Sequence, residues 1–312
     1  MANFVSLKSG VTLQNAPAFM KCGGGPSVAA GIARLGTRSA FIGTVGDGCV
    51  ERFLANELKS LGVDTRGITF DRDFKTRVAF GSLTSDGARD FEFWEQQLAD
   101  QELHFDRING KVLLGSDVVN IGSFLLLWNP SRNSAIRVAR EARTVGKEAC
   151  FDPNLRLSLW KGTQEARRVL TAMVRCVTIV RLNGEEAIFL THVRNVEKAA
   201  AKIRSYSPQV VVVTLADRDC YFQSAMASGR VPGFRARSVD TTSCGDGFLA
   251  GLLHGLVRTE TRQDGYSTDA LQSICEFANA VGALVVTKGG AIAARPTQGE
   301  VVQFLAEKKG LD

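Results

Sequence analysis

The run Val239-Asp240-Thr241-Thr242-Ser243-Cys244-Gly245-Asp246-Gly247 joins an extended stretch, Phe234 to Val239, to an apolar helical stretch, Gly247 to Leu256. Small residues and a carboxylate therefore stand at a helix N-terminus, where backbone N–H groups without intrahelical partners favour anions. Asp246 in that place has two uses: it caps the helix, or it takes a proton beside a bound phosphate. Spacing alone leaves both open. Asn183 and Glu186 carry the same duality, since they begin a helix after the strand ending at Arg181 and form, by composition, an N-cap with a capping-box Glu. Asp240 reads equally well as an Asp capping its own turn, and Gly23-Gly24 as a plain turn.

Positioning such groups takes a scaffold, and 312 residues with 45% hydrophobic content suit one large α/β domain or two smaller ones. Short β-branched runs occur at Ser39 to Val45, Lys111 to Ile121, Glu148 to Phe151, Cys176 to Arg181 and Gln209 to Leu215. Helical stretches alternate with them at Gly48 to Leu61, Ser131 to Val145, Gln164 to Met173, Glu185 to Leu190 and Val196 to Ser205, with another at Leu271 to Val285. That rhythm argues for a mainly parallel sheet with crossover helices. The continuous run Val210 to Val213 fits a central strand covered on both faces. Thr76 to Glu95 has another texture: two alternating runs flank Ser85-Asp86-Gly87 and read as an antiparallel hairpin.

No run of 18 apolar residues occurs, and Met1 to Lys8 lacks the layout of a signal peptide, so the expectation is a cytoplasmic protein with no membrane partner. Seven cysteines lie singly, without a C-x-x-C pair, beside only three histidines; they read as small buried hydrophobes rather than a zinc site. The net charge of +6 comes from Lys and Arg spread along the chain without a basic block of five. It is read as a solvated surface that favours an anionic ligand such as a nucleotide, and nucleic acid is not expected as a partner.

Asp240 to Asp246 resembles the D-T-x-G-A-G-D signature of the PfkB, or ribokinase-like, carbohydrate kinases. Gly23-Gly24-Gly25-Pro26, Ala33-Arg34-Leu35-Gly36 and Ile42 to Asp47 are similar to the family's N-terminal signature. Asp152-Pro153-Asn154-Leu155-Arg156 with Leu159-Trp160 resembles the central block of plant and bacterial fructokinases, and Asn183-Gly184-Glu185-Glu186 resembles the family's N-x-x-E. The resemblance implies a ribokinase-like three-layer α/β/α sandwich forming a single domain over 1–312, with a small β-sheet lid built from about 1–25 and 74–98. It implies an ATP-dependent sugar kinase, most like a plant-type fructokinase.

In that family the last Asp of the signature takes the proton from the sugar hydroxyl attacking the γ-phosphate, so Asp246 is the implied base. Ser243, Cys244 and Gly245 would supply backbone N–H groups as an anion hole. Asp240 and Thr242 match positions that help bind a monovalent cation, usually potassium. Asn183 and Glu186 match the pair that organises Mg²⁺ waters and phosphate, and the ATP base and ribose are expected near Thr214, Ala216 and Asn279. Sugar contacts are expected at Gly23, Gly24, Arg156 and Asp246.

The chain departs from the family pattern in four places. Ser243-Cys244 replaces Gly-Ala, where glycine would serve either a positive φ or a close phosphate approach. Ala216-Asp217-Arg218-Asp219 replaces a G-x-x-G turn. Asn3 falls where the sugar-binding Asp belongs, the family's opening strand being missing, and Ser27 is the nearest substitute for a lost sugar-contacting Asn. Each lost partner of a buried sugar hydroxyl weakens binding by about 1–3 kcal/mol. A second expectation follows, of a catalytically impaired fructokinase-like protein acting as a scaffold or regulatory partner, as in a plastid transcription complex, with the plastid as the alternative compartment. Phe91, Phe93 and Trp94 alternate along the hairpin and suit lid core or a homodimer through the lid.

Overall fold

The computed structural model describes residues 2–5, 25–83, 89–94, 98–216, 219–236, 243–259, 265–287 and 295–310, with backbone only at 2–5, 79–83 and 89–94. They fall into two compact units: Met1–Glu102 with Ala236–Gly251 and Ala280–Asp312, and Leu103–Arg235 with Leu252–Asn279.

The first unit begins with β1 (Ala2–Val5), α1 (Gly25–Arg34), β2 (Ser39–Gly46), α2 (Cys49–Ser60) and β3 (Val63–Asp71). Strands β2 and β3 pair in parallel, and Ala29, Ala30, Leu58 and Val63 form the apolar cluster beside them. The register shifts between Ala40 and Ile42, where Gly67 lies so close that a Cβ would stand 2.7 Å from the Phe41 carbonyl oxygen and 2.8 Å from Ile42 Cγ1. The hairpin expected over Thr76 to Glu95 forms as β4 (Val78–Leu83) and β5 (Arg89–Trp94), paired antiparallel with Val78 opposite Trp94. Strand β1 adds in parallel to β4, Asn3 opposite Ala79, to give a three-stranded sheet. Arg77 anchors its base: it is 2% exposed and its Nε donates to Asp100 Oδ2 at 2.9 Å. The side chains of Asn3, Phe91, Phe93 and Trp94 lie outside the described part.

The second unit contains α3 (Gly110–Leu114), β6 (Val118–Gly122), α4 (Ser131–Thr144), β7 (Glu148–Asp152), α5 (Thr163–Val174), β8 (Ile179–Asn183), α6 (Gly184–Thr191), α7 (Val196–Arg204), β9 (Val210–Thr214), β10 (Asp219–Gln223) and β11 (Ser228–Pro232). They build one sheet in the order β11-β10-β9-β8-β7-β6, parallel from β6 to β9 and antiparallel over β10 and β11. The α/β class with a mainly parallel sheet therefore holds. Every residue of β7 and β9 is buried, as a strand covered on both faces must be. Phe151, Leu170, Met173, Leu182, Ile203, Val211 and Val213 lie at the centre of the core.

One expectation is corrected. Lys111 to Ile121 is not a single strand, because the Asn109 side chain accepts from the Lys111 and Val112 N–H groups and starts α3. A local cap overrides the apolar run Val112-Leu113-Leu114.

The last elements are α8 (Cys244–Arg258), α9 (Thr268–Val286) and α10 (Gln298–Lys309). Helix α8 starts three residues before the expected Gly247. Helix α9 is long and apolar enough to cross a membrane by length and composition alone, and half of its apolar window is buried inside the protein. No regular element covers Phe234 to Ala236 of the expected extended stretch; the rest of that stretch lies outside the described residues.

Gly67→Ala is expected to lower stability by about 1–3 kcal/mol, since the backbone carbonyl it would strike cannot rotate away. Urea unfolding of the purified variant checks this.

Candidate active site

Helix α8 opens from Ser243, whose φ of +66° is a left-handed conformation that a side chain disfavours. Of the two roles considered for a glycine here, the positive φ is the one the backbone adopts. The turn closes with the Gly247 N–H donating to the Ser243 carbonyl oxygen at 2.9 Å. Cys244, Gly245 and Asp246 are thus the first three residues of the helix, whose N–H groups have no carbonyl within it to bond. Asp246 sits inside this first turn rather than before it, so the reading of it as the residue preceding the helix is corrected. Its carboxylate is on the side of the dipole that favours negative charge.

Asp246 is 6% exposed and Arg295 is wholly buried, with Arg295 Nη2 standing 3.7 Å from Asp246 Oδ2. The same guanidinium donates through Nη1 to the Ser243 carbonyl oxygen at 3.1 Å and through Nη2 to Ser27 Oγ. Burial pulls the Arg295 proton affinity down, and the Asp246 charge pushes it back up. Two glycines make room for it. A Cβ on Gly247 would stand 2.8 Å from Arg295 Nη1 and 2.8 Å from Val285 Cγ2, and one on Gly31 would stand 2.7 Å from the Ala250 Cβ and 3.4 Å from Arg295 Cδ. Ser27, expected at the sugar, is itself fully buried with its hydroxyl engaged by Arg295.

A second constellation lies at the strand ends of the other unit. Asn183 caps α6 and Glu186 completes the capping box: Asn183 Oδ1 accepts from the Glu186 N–H at 2.8 Å, and Glu186 Oε2 accepts from the Asn183 N–H at 2.8 Å. Glu186 Oε1 accepts from the Leu155 N–H at 2.7 Å, which ties the loop after β7 to α6. Arg181, buried in β8, donates to Asp152 Oδ1 at 3.3 Å and to Thr214 Oγ1 at 2.9 Å. Burial raises the proton affinity of both Asp152 and Glu186; the neighbouring Asp152 charge raises Glu186 further, while Arg181 opposes the shift on each.

Asn183 and Glu186 form the capping box that their composition suggests, and Thr214 stands opposite Asn183 in the sheet, its Oγ1 committed to Arg181 and to the Leu182 carbonyl oxygen at 3.3 Å. Asn279 Nδ2 donates to the Val231 and Pro232 carbonyl oxygens at 3.2 and 3.1 Å. Ala216 is exposed in a left-handed conformation, φ +58°, at the end of β9. Arg156 is exposed and bonds carbonyl oxygens of its own loop, at Asn154 (3.4 Å) and Leu155 (3.1 Å). Gly23, Gly24, Asp240 and Thr242 lie outside the described residues. Arg181 and Arg295 were missed from the sequence. The first left a signal, a charge interrupting the apolar run Ile179 to Leu182; the second left none.

Two outcomes follow from this geometry. Arg181→Met is expected to destabilise by about 3–5 kcal/mol at pH 7, because two buried carboxylates lose their cation. Carboxylates whose folded proton affinity is raised contribute stability at low pH and lose it as pH rises, so the variant should regain part of the deficit at pH 5; denaturant titrations at both pH values measure it. Ser243→Gly is expected to add up to about 1 kcal/mol, less the entropy glycine gains in the unfolded chain, readable as a raised thermal midpoint.

A family model described as pfkB family carbohydrate kinase matches residues 3–298. Fructokinase-1 of Zea mays is 37% identical over 309 residues, which span 98% of this chain and 95% of that protein. The crystal structure of fructokinase with bound ATP from Xylella fastidiosa has a TM-score of 0.89 at 26% identity, covering 99% of this chain and 96% of its own. The fructokinase of Vibrio cholerae O395 in its fructose, ADP and calcium ion bound form has a TM-score of 0.85 at 28% identity, covering 97% and 96%. Both fold and sequence agree from β1 into α10, and the chain belongs to the pfkB family of carbohydrate kinases.

Proposed function

We propose that this protein is an ATP-dependent fructokinase, transferring the γ-phosphoryl group to a hydroxyl of a ketohexose. The observation that carries the reading is Asp246, buried in the first turn of α8 with a fixed cation beside it. Phosphoryl transfer asks for in-line positioning, charge stabilisation and a base at the nucleophile. Asp246 takes the proton of the attacking hydroxyl, and Arg295 favours the ionised carboxylate that can do so. The N–H groups of Cys244, Gly245 and Asp246 face the oxygens on which charge builds. Relatives support the choice of substrates: the Xylella fastidiosa fructokinase is described with ATP, and that of Vibrio cholerae with fructose and ADP.

Among the described residues no three His, Cys, Asp or Glu side chains gather to ligate a metal ion directly. Both Glu186 oxygens already accept N–H groups, and a carboxylate oxygen retains a further lone pair for water. Magnesium carried on the nucleotide phosphates therefore fits with Glu186 reached through water, and it supplies neutralisation of charge on the transferring oxygens. Asp240 and Thr242 are proposed for a potassium ion on the family resemblance alone.

A second reading rests on Ser27. Its hydroxyl is taken by Arg295, so the residue nearest in sequence to the lost sugar-reading Asn does not face a solute. This favours the impaired protein that acts through partners.

A coupled assay with fructose, ribose, 2-keto-3-deoxygluconate and adenosine, with and without potassium, separates the two. Fructose turnover is expected, and Asp246→Asn should lower kcat by about 10²–10⁴ while changing ATP affinity by no more than roughly threefold. Undiminished turnover in the variant sinks the base assignment; silence of the wild type on all four acceptors, with ATP still bound, selects the second reading.

A further inference from the structure

Five of the arginines that look dispersed along the sequence converge in the second unit. Arg140 and Arg143 of α4, Arg167 and Arg168 of α5, and Arg175 just beyond it line one open groove of about 1020 Å³, and no Asp or Glu lines it. The carboxylates of these helices are used elsewhere: Glu141 pairs with Arg137 at 2.7 Å and Glu165 with Arg132 at 3.2 Å. None of the five groove arginines has a carboxylate partner among the described residues.

Three of the five are held in place by groups that leave their charge intact. Arg143 Nη1 donates to the Arg175 carbonyl oxygen at 3.1 Å and to Ser207 Oγ at 3.2 Å. Arg167 Nε donates to the Phe189 carbonyl oxygen at 2.8 Å and its guanidinium lies 4.7 Å from the centre of the Phe189 ring. The Arg175 guanidinium lies 5.7 Å from the centre of the Tyr206 ring. A helix C-terminus accounts for Arg143 and Arg175, whose charges suit the dipole there. It does not account for Arg140, nor for Arg167 and Arg168 in the first half of α5. Five like charges in one concavity repel one another, and oriented guanidinia without carboxylates are the arrangement that receives phosphate.

We propose that the groove between α4 and α5 binds a small polyanion bearing two or more phosphate groups, through residues that take no part in the α8 mouth. Its volume suits a metabolite-sized ligand. A nucleic acid calls for an extended basic track with rings free to stack on bases, whereas here the two neighbouring rings lie under arginines.

The side chains of Arg140 and Arg168 hold no protein group among the described residues, so they can be changed without loosening the helices. Calorimetric titration with inorganic tripolyphosphate, in the presence of a saturating non-hydrolysable ATP analogue, is expected to show one equivalent bound by the wild type. The affinity should fall about tenfold or more in Arg140→Glu/Arg168→Glu and roughly threefold in Arg140→Gln/Arg168→Gln, and should weaken as salt rises. The Gln pair carries the test if the Glu pair does not fold. Unchanged affinity in the variants, no binding by the wild type, or tighter binding of a single-stranded oligonucleotide than of tripolyphosphate at these residues overturns the proposal.

Discussion

A guanidinium removed from water has to be met by acceptors, and in the first unit Arg295 is met by three: Ser27 of α1, the carbonyl of Ser243 and the carboxylate of Asp246. An uncompensated charge in that place costs several kcal/mol, so the acceptors are constrained together. The consequence reaches the backbone. Holding the Ser243 carbonyl toward Arg295 goes with the left-handed turn that starts α8, and that turn sets where the first N–H groups and Asp246 stand. Gly31 and Gly247 follow from the same demand, since side chains there would occupy the space of Arg295 or of the helix contact beside it.

The second unit meets a similar demand differently. Glu186 is satisfied by two backbone N–H groups and Asp152 by Arg181, with burial pressing both carboxylates toward the protonated form. Asp246 has a buried cation beside it, which favours the anion. Glu186 is a structural tie: its bonds to the Leu155 and Asn183 N–H groups join the β7 loop to α6, so it cannot move without moving the backbone.

The parallel sheet was legible because continuous β-branched runs such as Val210 to Val213 occur only where both faces are covered, and the hairpin because its alternation changes period. The capping box at Asn183 and Glu186 was legible because it is a local pattern. Lys111 to Ile121 was misread because one side-chain cap, Asn109, outweighed a short apolar run. The two buried arginines were hidden for another reason. Their environment is made by residues distant in sequence, Ser27 being 268 positions from Arg295, and no local window contains that information. The arginine groove was hidden in the same way, its members coming from two helices and the turn after the second.

The positive φ angles bear on what the departures from the family pattern mean. Ser243 and Ala216 stand where the resemblance leads one to expect glycine, and both keep a left-handed backbone, at +66° and +58°. A side chain in that region costs about 1–2 kcal/mol, so the conformation persists only because its surroundings impose it. At Ser243 the imposing groups are visible: the Gly247 N–H and Arg295 Nη1 both bond its carbonyl oxygen. Two hydrogen bonds to one carbonyl, one from a cation, supply stabilisation of the same order as the strain. The residue at the mouth of α8 therefore carries a side chain on a left-handed turn that its own carbonyl's hydrogen bonds hold in place.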